Sequence, residues 1–273
     1  WLVDISSWHW IFIINIPIGI MGIIWARKTM PDYKHLTNGF DFIGMILFGG
    51  SLVVLTIGIE LGSEGVIGGW TLAGVFLLGF LMMNGYYRHY KRSSNPIIDL
   101  ELIKIRTLRI GVFGNLFTRL GIGGMPLLLP LLFQVGLGHS AMASGMMLIP
   151  VALSSVLVKP WVVPIVKKLG YKKTLIINTL IIALVIGLFA LISKDTPLPN
   201  LIPLLVIFGA VNSIQMASMN TLSLSDLNTE TASGGNSLLM VMQQLSMSLG
   251  ISVAAFLLSK YQNEITDMSA SIV

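Results

Sequence analysis

The chain has no cysteine, little charge and almost no acid within its apolar runs. Without cysteine there is no disulfide framework and no thiolate metal site. Charged residues make up 11% of the 273, against about 25% in a soluble domain, so there is too little polar surface to face water. Histidine is sparse. His9, His35, His89 and His139 are scattered at loops or run ends with no metal-ligand spacing, and they read as interfacial residues. No phosphate-cradling glycine loop and no nucleophile–base pair occurs, so no catalytic residue, metal ligand or cofactor is expected. The net charge of +5 comes from short basic clusters between apolar runs, a pattern that argues against nucleic acid as a partner.

What remains is apolar. Hydrophobic residues are 54% of the chain and the mean hydropathy is +0.84, so the expected solvent is lipid. About 20 apolar residues cross a hydrocarbon core. On that rule the candidate spans are roughly 7–26, 42–62, 69–87, 110–135, 140–158, 174–193, 200–220 and 234–259. They must be helical, because lipid offers backbone groups no partners. Pro17, Pro126, Pro130 and Pro150 are then kinks rather than breaks. The fold class expected is an all-α integral membrane bundle of about eight spans.

Fourteen of the 17 Lys and Arg fall in alternate connections, 27–41, 88–109 and 159–173. The opposite side holds only Lys194 and Lys260. The positive-inside rule therefore places the basic loops in the cytoplasm. The connection "TLSLSDLNTETASGG" has two acids and no base, and the asymmetry outweighs it. Residues 88–109 form the longest connection and the expected internal boundary; within them "IIDLELIKI" is either a surface-lying amphipathic helix or an ordinary linker.

The last of the basic residues is Arg119, in "GVFGNLFTRLGIGGMPLLLPLLF". It lies ten residues past Arg109, about 15 Å into the span at 1.5 Å per residue. Such a charge faces a protein interior or a water-filled cavity. Asn115 and Thr118 share its helix face. The readings are a cavity residue that binds an anionic group, a partner for a buried carboxylate, and a structural arginine bonded to neighbouring helix ends. Two further spans carry polar, Met-rich faces: Asn212, Gln215, Met216 and Met219, then Asn236, Met240, Gln243 and Met247. Amides with flexible thioethers suit a cavity for varied apolar molecules, and they also suit hydrogen-bonded helix packing. Glu60 ends the second span and is either proton-linked or a solvated end.

The first span reads "SWHWIFIINIPIGIMG". This resembles the sixth span of the major facilitator superfamily, within it the fourteen-span drug:proton antiporters, through Trp8, Trp10, Ile11, Phe12, Ile14, Asn15, Pro17 and Gly19. "FDFIGMILFGGSLVVLTIGIELG" is similar to the seventh span, with the D-x-x-G start at Asp41 and Gly44. "ASGMMLIPVALSSVLVKP" looks like the tenth, and "SGGNSLLMVMQQLSMSLGISVAAFLL" like the thirteenth.

The resemblance implies two six-helix bundles about a central cavity, with two extra helices between them. Residues 1–26 would be the last helix of the N-terminal bundle and 27–41 a cytoplasmic loop. Residues 42–87 would be the extra pair, 88–109 a cytoplasmic linker, 110–259 five of six C-terminal helices, and 260–273 an external tail. It implies an incomplete chain, with the first five spans, the coupling carboxylate and the antiporter motif expected before Trp1. A relic of the family's basic loop survives as "VPIVKKLGYKK", where Gly170 matches but Lys167 and Val163 depart from the pattern.

The function implied is proton-driven efflux of an amphipathic small molecule by alternating access, with no cofactor beyond the proton gradient. The setting implied is the bacterial inner membrane and the protein a monomer. Arg119, Asn115, Thr118, Asn212, Gln215, Met216, Asn236, Met240 and Gln243 would line the cavity. Rival readings are a metabolite exporter or importer, an inactive membrane fragment or scaffold, and a membrane acyl-transfer enzyme, which lacks its His or acidic cluster.

Overall fold

A computed structural model describes residues 9–30, 40–63, 67–93, 96–193, 196–229 and 231–271. Among these residues every regular element is helical, as lipid solvation requires. The chain divides into two compact units, 1–40 and 41–273.

The first unit contains α1 (Trp10–Ile13) and α2 (Asn15–Thr29). Ile14 separates them, and Pro17 sits in the first turn of α2, where its missing N–H has no intrahelical partner to lose. Trp8 lies outside the described residues.

The second unit holds α3 (Phe42–Ser63), α4 (Gly69–Tyr90), a 3₁₀ turn (Leu100–Lys104), α5 (Arg106–Ile122), α6 (Met125–Leu131), a π turn (Leu132–Gly136), α7 (Ala141–Leu157), α8 (Lys159–Phe189), α9 (Leu198–Leu224) and α10 (Ala232–Ser271). Among the described residues, six stretches of helix are long and apolar enough to cross a membrane, including Arg106–Gly136 as one 31-residue span through α5, α6 and the π turn. Of the eight spans expected, the first is divided at Ile14, and α7 is a shorter apolar helix of 17 residues.

Three boundaries differ from the sequence expectation. The basic stretch 159–173 is not an open loop. Two helical stretches of α8, 159–169 and 171–189, meet within it at a kink at Gly170, whose φ of 74° and ψ of 159° suit glycine alone. Lysine is a good helix former, so a lysine-rich segment lengthens a helix as readily as it ends one. The expected tail 260–273 continues α10 to Ser271. "IIDLELIKI" forms no α-helix: within this linker Leu100–Lys104 fold as a 3₁₀ turn, with Asp99 accepting a hydrogen bond from the Glu101 N–H at 2.8 Å.

That turn is wedged into a core. Ile98 and Leu102 are buried with Phe48 of α3, Tyr86 of α4, Leu108 and Val112 of α5, and Leu238 and Leu239 of α10. A second core joins α5 and α6 to α8 and α9 through Ile122, Phe133, Ile182, Val185, Leu205 and Phe208. Helix α10 packs along α5, and α9 packs against both α7 and α8. The α5–α10 crossing is a backbone contact: a Cβ placed on Gly250 would lie 2.5 Å from the Arg119 carbonyl oxygen and 3.0 Å from the Gly123 Cα. Small residues allow such approaches in lipid, where dispersion and hydrogen bonds, not water exclusion, hold helices together.

Candidate functional site

Helices α5 and α9 run antiparallel, since Gly111 faces Ser223, Gly114 faces Met219 and Arg119 reaches Met216. The Gly123–Gly250 crossing brings α10 to the same place. Three helices therefore meet around Arg119. Its Nη2 donates to Gln243 Oε1 at 3.1 Å and lies 3.3 Å from Met216 Sδ, while Nη1 lies 3.9 Å from Met247 Sδ. Gln243 Nε2 donates in turn to Asn220 Oδ1 at 2.7 Å. Thioether sulfurs are weak acceptors. The Arg119 Nε is buried without a partner. Among the described residues no carboxylate forms an ion pair with Arg119; the pairs found are His89–Asp41 and Lys104–Glu101. The guanidinium is thus a half-buried positive charge with one good acceptor and a planar fork suited to an acid.

Of the residues expected in the cavity, Arg119, Met216 and Gln243 come together, with Met247 beside them. Asn220 was missed; it stands four residues after Met216 and so shares its face. Asn115 is buried and donates to the Gly111 carbonyl at 2.9 Å, and Thr118 donates to the Gly114 carbonyl at 2.7 Å. Both spend those bonds on their own helix.

Gln215 faces elsewhere. It is buried, accepts from Asn178 at 3.0 Å and donates to Thr179 at 3.1 Å, tying α9 to α8. The step from Gln215 to Met216 turns about 100° around the helix, enough to move from the α8 side to the α5 side. On α10, Asn236 is half-buried and Met240 exposed, in contact with each other at 3.8 Å. Asn212 lines a separate cleft of about 300 Å³ between α5, α6, α7 and α9. Glu60 is exposed, three residues before the end of α3.

A second polar cluster holds the basic-loop ends of α3 and α4. Asp41 Oδ1 accepts from the Gly44 N–H at 2.8 Å and from His89 Nε2 at 2.7 Å, and Oδ2 accepts from the Ile97 N–H at 3.1 Å. Burial works to raise the Asp41 pKa, but these hydrogen bonds and the His89 charge hold it below the ordinary value. A Cβ on Gly44 would run into that carboxylate, which is the physical content of the D-x-x-G pair. Tyr86 and Tyr90 complete the cluster. The buried Tyr86 hydroxyl donates to the Ile98 carbonyl at 2.6 Å and accepts from its N–H at 3.1 Å, and Tyr90 donates to Asp99 at 2.8 Å. In the sequence His89 reads as interfacial, and nothing in its spacing points to Asp41, 48 residues away. Among the described residues no His/Asp/Glu group could hold a metal ion.

Comparison with known proteins agrees with this architecture. The family model for the Major Facilitator Superfamily matches residues 1–251. A Serratia proteamaculans protein that carries the name multidrug resistance protein MdtD is 39% identical over 273 residues, covering 98% of this chain and 57% of the relative. An Enterobacter protein of the same name is 40% identical over 262 residues, covering 95% and 55%. A Haemophilus influenzae protein named as transport protein HsrA is 37% identical over 263 residues, covering 96% and 57%. The chain spans little more than half the length of these relatives.

Proposed function

This chain belongs to the major facilitator superfamily, a family of transporters rather than enzymes, and we propose that the protein exports amphipathic small molecules across the bacterial inner membrane in exchange for protons. The names of the relatives support efflux. The observation that carries the reading is Arg119, a charge about 20 Å into the span that starts at Arg106, which no carboxylate among the described residues neutralises. Charges at that depth mark substrate or ion pathways. Helices α5, α9 and α10 converge on it, as carriers with a midplane site require.

In this reading the basic connections lie in the cytoplasm, the proton-motive force supplies the energy, and the transporter works as a monomer. The coupling acid belongs to a part of the protein beyond these residues, because Glu60 is exposed and near the end of α3. A second reading, transport of an endogenous metabolite, is favoured by the same guanidinium where that metabolite is acidic.

The test uses the full-length protein in proteoliposomes loaded with a fluorescent amphipathic dye. An imposed proton gradient is expected to drive dye movement, and Arg119→Ala is expected to slow it at least about tenfold, the equivalent of one lost charged hydrogen bond in transport. Dye movement that ignores the gradient would remove proton exchange from the reading. Undiminished gradient-driven movement in Arg119→Ala would remove Arg119 from the substrate path.

A further inference from the structure

The cleft beside the Arg119 cluster has the opposite polarity to the cluster itself. Ile122 lies about one helical turn along α5 from Arg119, and Asn212 about one turn along α9 from Met216. Both residues line the cleft. Because α5 and α9 are antiparallel, both steps lead the same way, so the cleft is the next level beyond the guanidinium.

Its walls include Met125, Leu129, Val151 and Phe208, and Asn212 carries the one polar side chain among the lining residues. The Asn212 Oδ1 is buried with no hydrogen-bond partner. The helix wall supplies one more acceptor. Pro130, inside α6, has no N–H, so the Pro126 carbonyl four residues before it has no α-helical donor. Both prolines line the cleft. A buried acceptor without a donor is unfavourable until something supplies one. Arg119 is the mirror image: five N–H donors, no acceptor, and a buried Nε that nothing accepts from.

We propose that this site takes an amphipathic molecule carrying an acidic group and, about one helical turn away, a hydrogen-bond donor such as an amine. The acid sits on Arg119, the donor sits on Asn212 Oδ1 and the Pro126 carbonyl, and the apolar body fills the cleft of about 300 Å³. This rests on the reading of Arg119 as a substrate residue, and it narrows the substrate to bifunctional molecules. A simple cationic or simple anionic amphiphile leaves one half of the polarity unmatched.

The test measures binding to the full-length protein in detergent by calorimetry, with three matched probes: 4-(aminomethyl)benzoate, 4-methylbenzoate and 4-methylbenzylamine. The bifunctional probe is expected to bind at least about tenfold tighter than either of the others, since one satisfied buried hydrogen bond is worth about that factor. Asn212→Val is expected to bring it down to the affinity of 4-methylbenzoate and leave 4-methylbenzoate unchanged. Arg119→Gln is expected to erase the advantage of the carboxylate, and Arg119→Lys to restore part of it. Equal binding of 4-(aminomethyl)benzoate and 4-methylbenzoate by the unaltered protein would overturn the proposal, as would binding of none of the three. The comparison among probes stands even if a variant does not fold. In proteoliposomes, the expected binding order without gradient-driven flux would sink the transport reading alone, and flux with no preference among the probes would sink this proposal alone.

Discussion

Gly250→Ala tests the contact on which the geometry of the site depends. The added Cβ would lie 2.5 Å from the Arg119 carbonyl oxygen, 3.0 Å from the Gly123 Cα and 3.3 Å from the Gly123 carbonyl carbon. A carbon–oxygen contact relaxes to about 3.3–3.6 Å, so α5 and α10 must separate by close to 1 Å. The neighbours are backbone atoms and cannot swing aside as a side chain does. Overpacking of this kind costs about 1–3 kcal/mol. It also stretches the Arg119–Gln243 bond, now 3.1 Å across the same crossing, to about 4 Å, past any useful hydrogen bond. Gly187→Ala in α8 is the control, because a Cβ there meets nothing within 4 Å; relieving a helix of glycine stabilises it by about 0.5–1 kcal/mol. Thermal unfolding in detergent, followed by circular dichroism, should show Gly250→Ala melting about 2–12 °C lower and Gly187→Ala level or higher. If Gly250→Ala melts with the parent, or the two glycines behave alike, the close crossing is not what places Arg119.

Two further outcomes concern the junction between the helix pair and the rest of the unit. Tyr86→Phe leaves both backbone groups of the buried Ile98 without their partner, at a cost of about 2–3 kcal/mol; trypsin should cut after Arg92 faster than in the parent, and an unchanged rate would mean that the clamp is idle. Asp41→Asn should lower stability above pH about 5, and the difference should shrink as the pH falls below the ordinary carboxylate range. The reason is that the Asp41 pKa is held below its unfolded value of about 3.9, so its contribution is complete above that value and lost as pH falls through the folded one. Melting curves for both forms across that range would check it, and a gap that widens on acidification would contradict the assigned sign.

How much of this was readable in the sequence depended on whether the signal was local. Span positions and helical character follow from apolar run length and the demands of lipid, and those expectations hold across α3, α4, the α5–α6 span, α9 and α10. The outlying charge at Arg119 was visible as a residue type in the wrong solvent. Which way each face of α9 points was not visible: Asn212, Gln215 and Met216 share one stripe on a helical wheel, yet Gln215 bonds to α8 and Met216 reaches α5. A stripe of amides signals a partnered face without naming the partner. Likewise the linker looked polar because it carries Arg106, Lys104 and Glu101, while its Ile98 and Leu102 occupy a core that only the folded arrangement of α3, α4, α5 and α10 creates. The Asp41–His89 pair spans 48 residues and has no short-range signature at all.

Arg119→Leu separates the two explanations of why a charge sits at that depth. As a structural residue, Arg119 would earn its place through its bonds to Gln243, Met216 and Met247, and losing a charged hydrogen bond would destabilise the fold by about 1.5–3 kcal/mol. The geometry argues otherwise. Two of its three contacts are to thioethers, its Nε has no partner, and it has no counter-charge among the described residues, so desolvation is poorly offset. Leucine removes that cost and packs against the same methionines, while Gln243 keeps its bond to Asn220. The expected result is therefore a melting temperature equal to or above that of the parent, together with loss of acid binding, the pattern of a residue held for function at the expense of stability. A drop of more than about 4 °C would mean that the fold itself depends on Arg119, and the charge would then have to be explained by packing.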